Sequence, residues 1–283
     1  MQCLNRYVDV ARALRDPNLR CDTPDGEMHR SFRRDASDAY SPARVSTWRL
    51  AAERLLARQG PCSDLVAEFA KPWSLQFAAE VTQASSQDLS RLEEKAGAVL
   101  ASAAEPSDET LRQRAAVATS ALADCLGSAL GVQAFVALAQ TLPCFLGNAW
   151  VALFQHRQEM RRLREENGQM PHAIEELLRY AGPSQAILRR NTEGHLVALQ
   201  LAAANRDPAE FHQPDRLDLR RNPVRHLAFG SGLHGCLGAG LIRMAAEVAT
   251  RDMVQRYGLA EMISFEERCG FGIRCATGLR VRL

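Results

Sequence analysis

The sequence predicts a mainly α-helical protein that forms a single domain over residues 1–283, with few β-strands. Three observations support this fold class. The chain has 283 residues, of which 46% are hydrophobic and 24% are charged, so it can enclose one sizeable core. Apolar residues recur with a helical period along most of its length. No internal repeat is visible, which argues against a solenoid or a propeller.

The first two predicted helices have recognisable boundaries. Apolar and polar residues alternate in a helical pattern from Asp9 to Leu14, and the turn-forming residues 16–18 end that helix. Ser41 and Pro42 predict the start of another helix, which runs to about residue 59, because Ser can cap a helix and Pro fits its first turn. Further helices are predicted from Ser63, from Ser86, within 97–135, over 132–156 and over 165–180.

Pro143 interrupts the long apolar segment 132–156. Because Pro lacks a backbone N–H, we expect it to remove one helical hydrogen bond and to bend this helix. Short extended pieces are predicted at 185–200 and in the last dozen residues. The resulting fold is helix-dominated with minor strands.

Composition excludes several classes of function. The 35 basic and 33 acidic residues give a formal net charge of +2, which provides no general field for binding nucleic acid. No window approaches eighteen consecutive apolar residues, and the N-terminal stretch carries charges where a signal peptide needs apolar residues, so we expect no membrane association. The eight cysteines contain no CxxC pair, which makes a zinc cluster improbable. A disulfide framework is not expected in a chain of this length without an export signal. We therefore expect a cytoplasmic protein with mostly reduced thiols.

One short segment combines glycines with a cysteine at the start of a predicted helix. Residues 229–238 read FGSGLHGCLG. The glycines allow the backbone to approach a flat ligand closely. Cys236 lies where helical N–H groups stabilise a thiolate, and a single thiolate in such a loop suits an axial ligand of haem iron. The alternative is a buried cysteine in a glycine-rich turn that binds nothing.

The full spacing Phe-Gly-x-Gly-x-His-x-Cys-x-Gly resembles the haem-binding signature of the cytochrome P450 family. The resemblance implies that the cofactor is haem b (iron protoporphyrin IX) and that Cys236 is its metal ligand. It also implies that Phe229, Gly230, His234 and Gly238 contribute to cofactor binding.

Other segments carry the same resemblance in the expected order. Glu176 and Arg179 are similar to the family's ExxR pair, and Arg216 matches the position that supplies a second Arg to form a structural triad. By itself, the pair would be interpreted as two solvent-exposed side chains that lie one turn apart on a helix.

Four residues match positions that contact the haem propionates in the family. These are His29, Arg33, Arg189 and His234, whose charges suit hydrogen bonds to carboxylates. For the basic run 29–34, the alternative is a solvated surface.

The resemblance implies a catalytic pair at Gln140 and Thr141, but with a departure. In the family an acid precedes the alcohol and feeds protons to it, whereas Gln140 cannot titrate. Leu138 replaces a small residue and is expected to crowd the oxygen-binding groove. Without the family, Thr141 is a mid-helix Thr that bonds back to a carbonyl.

The resemblance further implies a shortened bacterial-type member. The expected fold lacks the N-terminal strands and has reduced lid regions, because few residues separate Asn18 from His29 and the stretch from Leu92 to Val132 is too short for the usual lid helices and connectors. A strand pair after Arg190 is also expected to be lost. The elements that hold the haem are expected to be intact, whereas those that cover the substrate are expected to be reduced.

The function implied is that of a haem-thiolate monooxygenase of secondary metabolism, acting on a large or carrier-presented substrate or completed by a partner subunit. Electrons are expected from a ferredoxin-type partner, docked by positive charge. The docking residues expected are Arg220, Arg221, Arg225 and Arg243. Alternatives are the same scaffold with peroxide-driven or non-oxidative chemistry, and a non-catalytic haem or binding protein. Self-association is a further expectation.

Overall fold

Helices dominate the computed structural model, which describes residues 1–20, 27–58, 60–222 and 224–283, without the side chains of residues 27–29 and 167. The α-helices are α1 (Tyr7–Ala13), α2 (Glu27–Ala39), α3 (Pro42–Leu56), α4 (Lys71–Thr82), α5 (Leu89–Ala104), α6 (Glu109–Leu126), α7 (Ala129–Val136), α8 (Leu142–Gln155), α9 (Arg157–Glu165), α10 (Met170–Ala181), α11 (Leu201–Ala204) and α12 (Ala239–Tyr257). Shorter helical segments are π-helical at Leu65–Ala70 and Ala137–Thr141, and 3₁₀-helical at Asn167–Gln169 and Gly232–His234.

The described strands form two small sheets. They are β1 (Gln2–Leu4), β2 (Ile187–Arg190), β3 (Leu196–Leu199), β4 (Glu261–Cys269) and β5 (Arg274–Arg282). In the first sheet β3 lies between β1, which pairs parallel to it, and β2, which pairs antiparallel. The second sheet is the antiparallel hairpin of β4 and β5.

A long central helix runs through the main core as α7, a π-helical segment and α8. Every residue of α8 from Leu142 to Phe154 is buried. It packs against α10, α12 and β5. The π-helical segment ends two residues before Pro143, which has no N–H to bond to the carbonyl four residues earlier. The predicted interruption of this helix is therefore confirmed, as a widened turn.

The strands and the predicted lid region differ from the sequence-based expectations. A strand, β1, is present at the N-terminus, and β2 and β3 form a strand pair around Arg190. The stretch from Leu92 to Val132 accommodates two helices, α5 and α6, packed along each other. The expectation that this stretch is too short for two helices and their connectors is therefore wrong, whereas the expectations of missing N-terminal strands and of a lost strand pair after Arg190 stay predictions. A three-residue strand that pairs with a distant partner leaves no local pattern to predict it.

Two findings bear on the cysteines and on the long apolar helix. Cys144 of α8 forms a disulfide with Cys275 of β5, whereas Cys3, Cys62, Cys125, Cys236 and Cys269 are free. The sequence did not predict this pair, because its members are 131 positions apart. Among the described residues, one helical stretch, Ala129–Gln155, is long and apolar enough to span a bilayer, but more than half of it is buried inside the protein.

The tip of the β4–β5 hairpin closes against the C-terminal end of α5. The N–H of Gly272 donates to the carbonyl of Ala104 at 2.8 Å, and the carbonyl of Gly272 accepts from the N–H of Gln185 at 2.8 Å. A Cβ at Gly272 would lie 2.1 Å from the carbonyl oxygen of Ala103. The contact therefore requires glycine.

We expect Gly272→Ala to lower the free energy of unfolding by about 1–3 kcal/mol, because the new Cβ forces backbone apart at this contact. Gly97→Ala, within α5, is the matched control: its Cβ would lie 4.0 Å from the nearest atom, the Gln140 Oε1. That change should stabilise by up to about 1 kcal/mol through helix propensity. Urea unfolding of both variants checks this. Equal stability of Gly272→Ala and the parent would contradict the close contact.

Candidate functional site

A cavity of about 280 Å³, here called the main cavity, lies beside the glycine–cysteine loop. The π-helical segment, α8, the end of α10, β2 and the loop all contribute to its wall. Its larger apolar lining residues are Leu142, Phe145, Leu178, Ile187, Leu201, Phe229 and Ile242. Its polar lining residues are Thr141, Ser184, Arg189, His234 and Cys236. An apolar cavity with few polar groups is the usual form of a cofactor or substrate site.

The backbone of the loop explains why its glycines are needed. Gly230 and Gly232 adopt φ values of +66° and +73°, which favour glycine. A Cβ at Gly232 would also lie 2.8 Å from the carbonyl oxygen of Leu14. The loop is closed by a hydrogen bond of 2.8 Å from the N–H of Cys236 to the carbonyl of Phe229. This closure places the thiol on the cavity wall, just before α12.

Opposing effects act on the Cys236 thiol. Burial raises its pKa above the ordinary value, whereas the backbone N–H of Gly238 and the positive charges of Arg243 and Arg33 lower it. The side chain is nevertheless exposed where it faces the main cavity. Tyr40 lies close by, and burial together with the Cys236 charge raises the pKa of Tyr40 to about 12. The groups predicted to stabilise a thiolate are thus present, but the effect of burial is larger, so the pKa of Cys236 is raised.

The predicted propionate-binding residues occupy different positions. Arg189 and His234 line the main cavity. Arg33 donates from Nη1 to the carbonyl of Gly235 at 3.0 Å, so it supports the loop directly. The side chain of His29 lies outside the described residues. Of the other predicted cofactor contacts, Phe229 and Gly230 line the cavity, whereas Gly238 acts through its N–H on the thiol.

Glu175 organises the loop, and the sequence analysis did not identify it. Its carboxylate accepts from Arg243 at 2.6 and 2.9 Å and lies 3.1 Å from His226 Nε2. The Arg243 guanidinium in turn stacks 4.6 Å from the ring centroid of Phe229, which lines the cavity. Hydrogen bonds and charges from His226 and Arg243 outweigh burial and lower the pKa of Glu175 to about 2. Its position next to Glu176 was the available signal.

The ExxR pair is a buried ion pair. Arg179 donates from Nε and Nη2 to both oxygens of Glu176, at 2.7 and 2.8 Å, and both side chains are fully buried. The second guanidinium on Glu176 belongs to Arg221, whose Nε lies 3.1 Å from Oε1. The prediction that Arg216 completes this triad is wrong. Its side chain is exposed, and only its backbone carbonyl accepts from Arg179, at 3.3 Å.

The predicted catalytic pair is divided between two environments. Thr141 lines the main cavity, whereas Gln140 faces away from it and donates from Nε2 to the carbonyl of Glu93 at 3.2 Å. The prediction that Gln140 helps shape the oxygen pocket is therefore wrong in this structure. Leu138 is buried in the core, and the residue at the cavity wall is the small Ala137. Ala137 and Thr141 lie about one turn apart at the two ends of the π-helical segment, and both line the main cavity.

The predicted docking arginines are only partly available. Arg221 and Arg243 are held by the carboxylates described above, and Arg220 forms an ion pair of 2.9 Å with Glu166. Arg225 is exposed. Docking of an acidic partner on this face stays a prediction.

The comparisons with known sequences point to one family. The cytochrome P450 family model matches residues 155–266. Residues of this chain are 37% identical over 155 positions to a biotin biosynthesis cytochrome P450 of Bacillus subtilis, covering 50% of this chain and 39% of that one. They are 34% identical over 134 positions to the polyketide biosynthesis cytochrome P450 PksS of the same organism, covering 43% and 33%. The matched region thus spans about two fifths or less of these relatives.

The fold is similar over nearly the whole chain to solved structures. The crystal structure of P450BioI in complex with an acyl carrier protein ligated to hexadec-9Z-enoic acid superimposes with a TM-score of 0.87 at 23% identity. The match covers 99% of this chain and 91% of that one. At this identity the likeness concerns the fold alone.

We expect Arg221→Gln to lower the free energy of unfolding by about 1.5–3 kcal/mol, since it removes hydrogen bonds to a buried charge. Arg216→Gln should change it by less than about 0.5 kcal/mol, because that side chain is exposed. Urea unfolding of the two variants compares the positions directly. A larger loss for Arg216→Gln would restore the original assignment.

Glu175 should make stability depend on pH. Because its pKa falls from 4.5 to about 2 on folding, its contribution is present above about pH 4.5 and is lost as the pH falls towards 2. Glu175→Gln should lower the midpoint of thermal unfolding at about pH 6 and reduce its fall between about pH 6 and pH 3.5. Glu193→Gln, at an exposed carboxylate, is the control. An unchanged pH profile in Glu175→Gln would contradict the shift.

Proposed function

We propose that this chain is a member of the cytochrome P450 family and that it is a haem-thiolate monooxygenase whose iron is ligated by Cys236. The observation that supports this most directly is the main cavity itself. Its wall contains a thiol from the loop before α12 and a hydroxyl from the central helix, Thr141, with apolar side chains between them. We propose that residues 1–283 act as one haem-binding domain.

The residues present fit haem. Cytochromes P450 bind haem b, whose flat apolar ring suits the apolar lining and whose iron suits a single thiolate ligand. Two cationic or potentially cationic side chains, Arg189 and His234, also line the cavity and suit the propionates. Gly230, which lines the cavity, presents no Cβ there.

When bound, haem supplies the chemistry of dioxygen activation, and the chain tunes it. The N–H of Gly238 and the charges of Arg33 and Arg243 favour the thiolate form of Cys236. Hydrogen bonds and nearby charge are the means by which a protein adjusts a ligating sulfur. Glu175 holds Arg243, and thereby fixes one of these charges in place.

Thr141 is the proton-carrying group of the distal wall in this proposal. Its hydroxyl can donate and accept a hydrogen bond inside the cavity. Gln140 does not take part, since it bonds to the carbonyl of Glu93. Among the described residues, no carboxylate lines the main cavity. Protons would therefore reach Thr141 through water.

The missing carboxylate favours one second candidate. A haem enzyme that uses peroxide, or that carries out a non-oxidative rearrangement, does not need the same supply of protons from the distal wall. Product formation without a reductant would favour this candidate. Product formation that requires NADPH and a ferredoxin system would favour the monooxygenase.

Substrate, partner and compartment follow from the proposal. Relatives act in biotin and polyketide biosynthesis, and a structural neighbour was solved with an acyl carrier protein. We propose a secondary-metabolite substrate that is large or carrier-bound, and a ferredoxin-type electron donor. A thiol that must remain reduced to ligate iron favours the cytoplasm. Self-association stays a prediction.

The first test is the spectrum of the reduced protein with carbon monoxide. The parent should bind haem and show the band characteristic of thiolate ligation, and Cys236→Ser should lose that band. Cys269→Ser, at an exposed free cysteine, should retain it. A colourless parent protein, or a band that survives in Cys236→Ser, would overturn the proposal.

The second test separates Thr141 from Gln140. Thr141→Ala should lower the product formed per NADPH consumed by about 10-fold or more, because it removes the hydroxyl that positions protons. Gln140→Ala should change this ratio less than about twofold, since its side chain points to α5. Oxygen uptake, NADPH consumption and product are measured together. The opposite order would return Gln140 to the catalytic site.

A further inference from the structure

The disulfide between Cys144 and Cys275 joins the central helix to the C-terminal hairpin. Cys144, on α8, is buried, whereas Cys275, on β5, is partly exposed. The other cysteines that the structure describes are free. A single link among free thiols is not the framework of a disulfide-stabilised secreted protein, and disulfides found in reducing compartments are usually transient and redox-sensing.

On the helix side, the disulfide begins at a wall of the main cavity. Leu142 and Phe145, on either side of Cys144 in the sequence, both line this cavity. Thr141, which also lines it, lies about one helical turn before Cys144. Cys144 itself does not line the cavity, because its sulfur is directed towards β5. A movement of α8 at this cysteine would therefore move the lining residues around it.

On the strand side, the disulfide reaches a second part of the same wall. The N–H of Arg274, next to the cysteine of β5, donates to the carbonyl of Pro183 at 2.8 Å. The N–H of Gln185 donates to the carbonyl of Gly272 at 2.8 Å. Pro183 and Ser184 both line the main cavity. The hairpin thus holds the segment 183–185, and the disulfide connects that segment covalently to α8.

Contacts without sulfur also hold β5 against α8. Asn148 donates from Nδ2 to the carbonyl of Arg274 at 2.9 Å and accepts at Oδ1 from the N–H of Ala276 at 2.7 Å. A Cβ at Gly147 would lie 3.1 Å from the Cβ of Ala276, so the two backbones approach closely. These contacts do not depend on the disulfide. Opening the disulfide therefore loosens the two parts of the wall without separating the strand from the helix.

We propose that the Cys144–Cys275 disulfide is a redox switch of the main cavity, operated by exchange with a protein dithiol. The linked form holds the two parts of the cavity wall together, and the reduced form lets them move apart. This inference rests on the proposed function where it concerns haem, and it adds the regulation of that site.

The exchange is a transfer of two electrons and two protons. A thiolate of the dithiol attacks the sulfur of Cys275, the more exposed member of the pair, and Cys144 leaves as a thiolate and takes up a proton. The second thiol of the dithiol then displaces Cys275, which is protonated in turn. The dithiol becomes a disulfide, and the chain carries two thiols.

The first experiment asks whether the pair exchanges in the folded protein. The haem-loaded parent is equilibrated with reduced and oxidised dithiothreitol in graded ratios and alkylated, and the linked and alkylated peptides are quantified by mass spectrometry. We expect the pair to open fully in excess reduced dithiol and to close again in excess oxidised dithiol, with the helical circular dichroism unchanged. A pair that stays linked in the first buffer, or that never links in the second, would overturn the inference.

The second experiment measures the coupling to the cavity wall. Hydrogen exchange at the amides of Gln185 and Arg274 should become about 10-fold faster in the reduced parent, because their hydrogen bonds open more often. Transfer of haem to excess apomyoglobin should also become about 10-fold faster. Cys144→Ala should show both effects without dithiol. Cys269→Ser, which removes an exposed free thiol from β4 of the same hairpin, is the matched control and should behave as the parent does.

Equal exchange rates at these amides in the linked and reduced parent would overturn the inference. A Cys269→Ser variant that no longer responds to dithiol would do the same, because the response would then not belong to the disulfide. Amide exchange is also measured before haem is loaded. A protein that binds no haem would thus contradict the proposed function, while the amide rates would still report on the disulfide.

Discussion

The buried ion pair between Glu176 and Arg179 is the interaction on which the part of the protein around the cysteine loop depends. Both side chains are fully buried, so their charges must be satisfied by the protein itself. Arg179 meets this requirement by donating to the carbonyls of Asn205 and Pro214 as well as to Glu176. These hydrogen bonds connect α10 to the segment 205–216, which contains no regular helix or strand.

This fastening extends to the cysteine loop. Asn205, whose carbonyl accepts from Arg179, also accepts through Oδ1 from the N–H of Leu227 at 2.7 Å. Leu227 lies just before the loop. On the same helix as Glu176, Glu175 holds Arg243 against Phe229. Two adjacent glutamates of α10 thus anchor both the approach to the loop and its cavity-facing ring, and the sulfur position follows from that anchoring.

The distal half is organised by packing rather than by charge. The central helix is buried along α8, and its π-helical segment turns Ala137 and Thr141 towards the main cavity while Gln140 faces α5. The hairpin tip at Gly272 seals against the end of α5. Between these elements β2 contributes Ile187 and Arg189 to the wall of the main cavity. This side of the main cavity is therefore built from more elements than the sequence predicted.

Much of this protein was predictable from local sequence, because its signals are local. Helical periodicity predicted most helices, Pro143 predicted the interrupted central helix, and the glycines around Cys236 predicted a loop before the last helix. Tertiary structure alone decided that Arg221 rather than Arg216 reaches Glu176, that Cys144 meets Cys275, and that Gln140 points away from Thr141. Each of these depends on the direction of a side chain or on contact between distant segments. A pattern of residue types along one chain carries no information about either until the helices have packed.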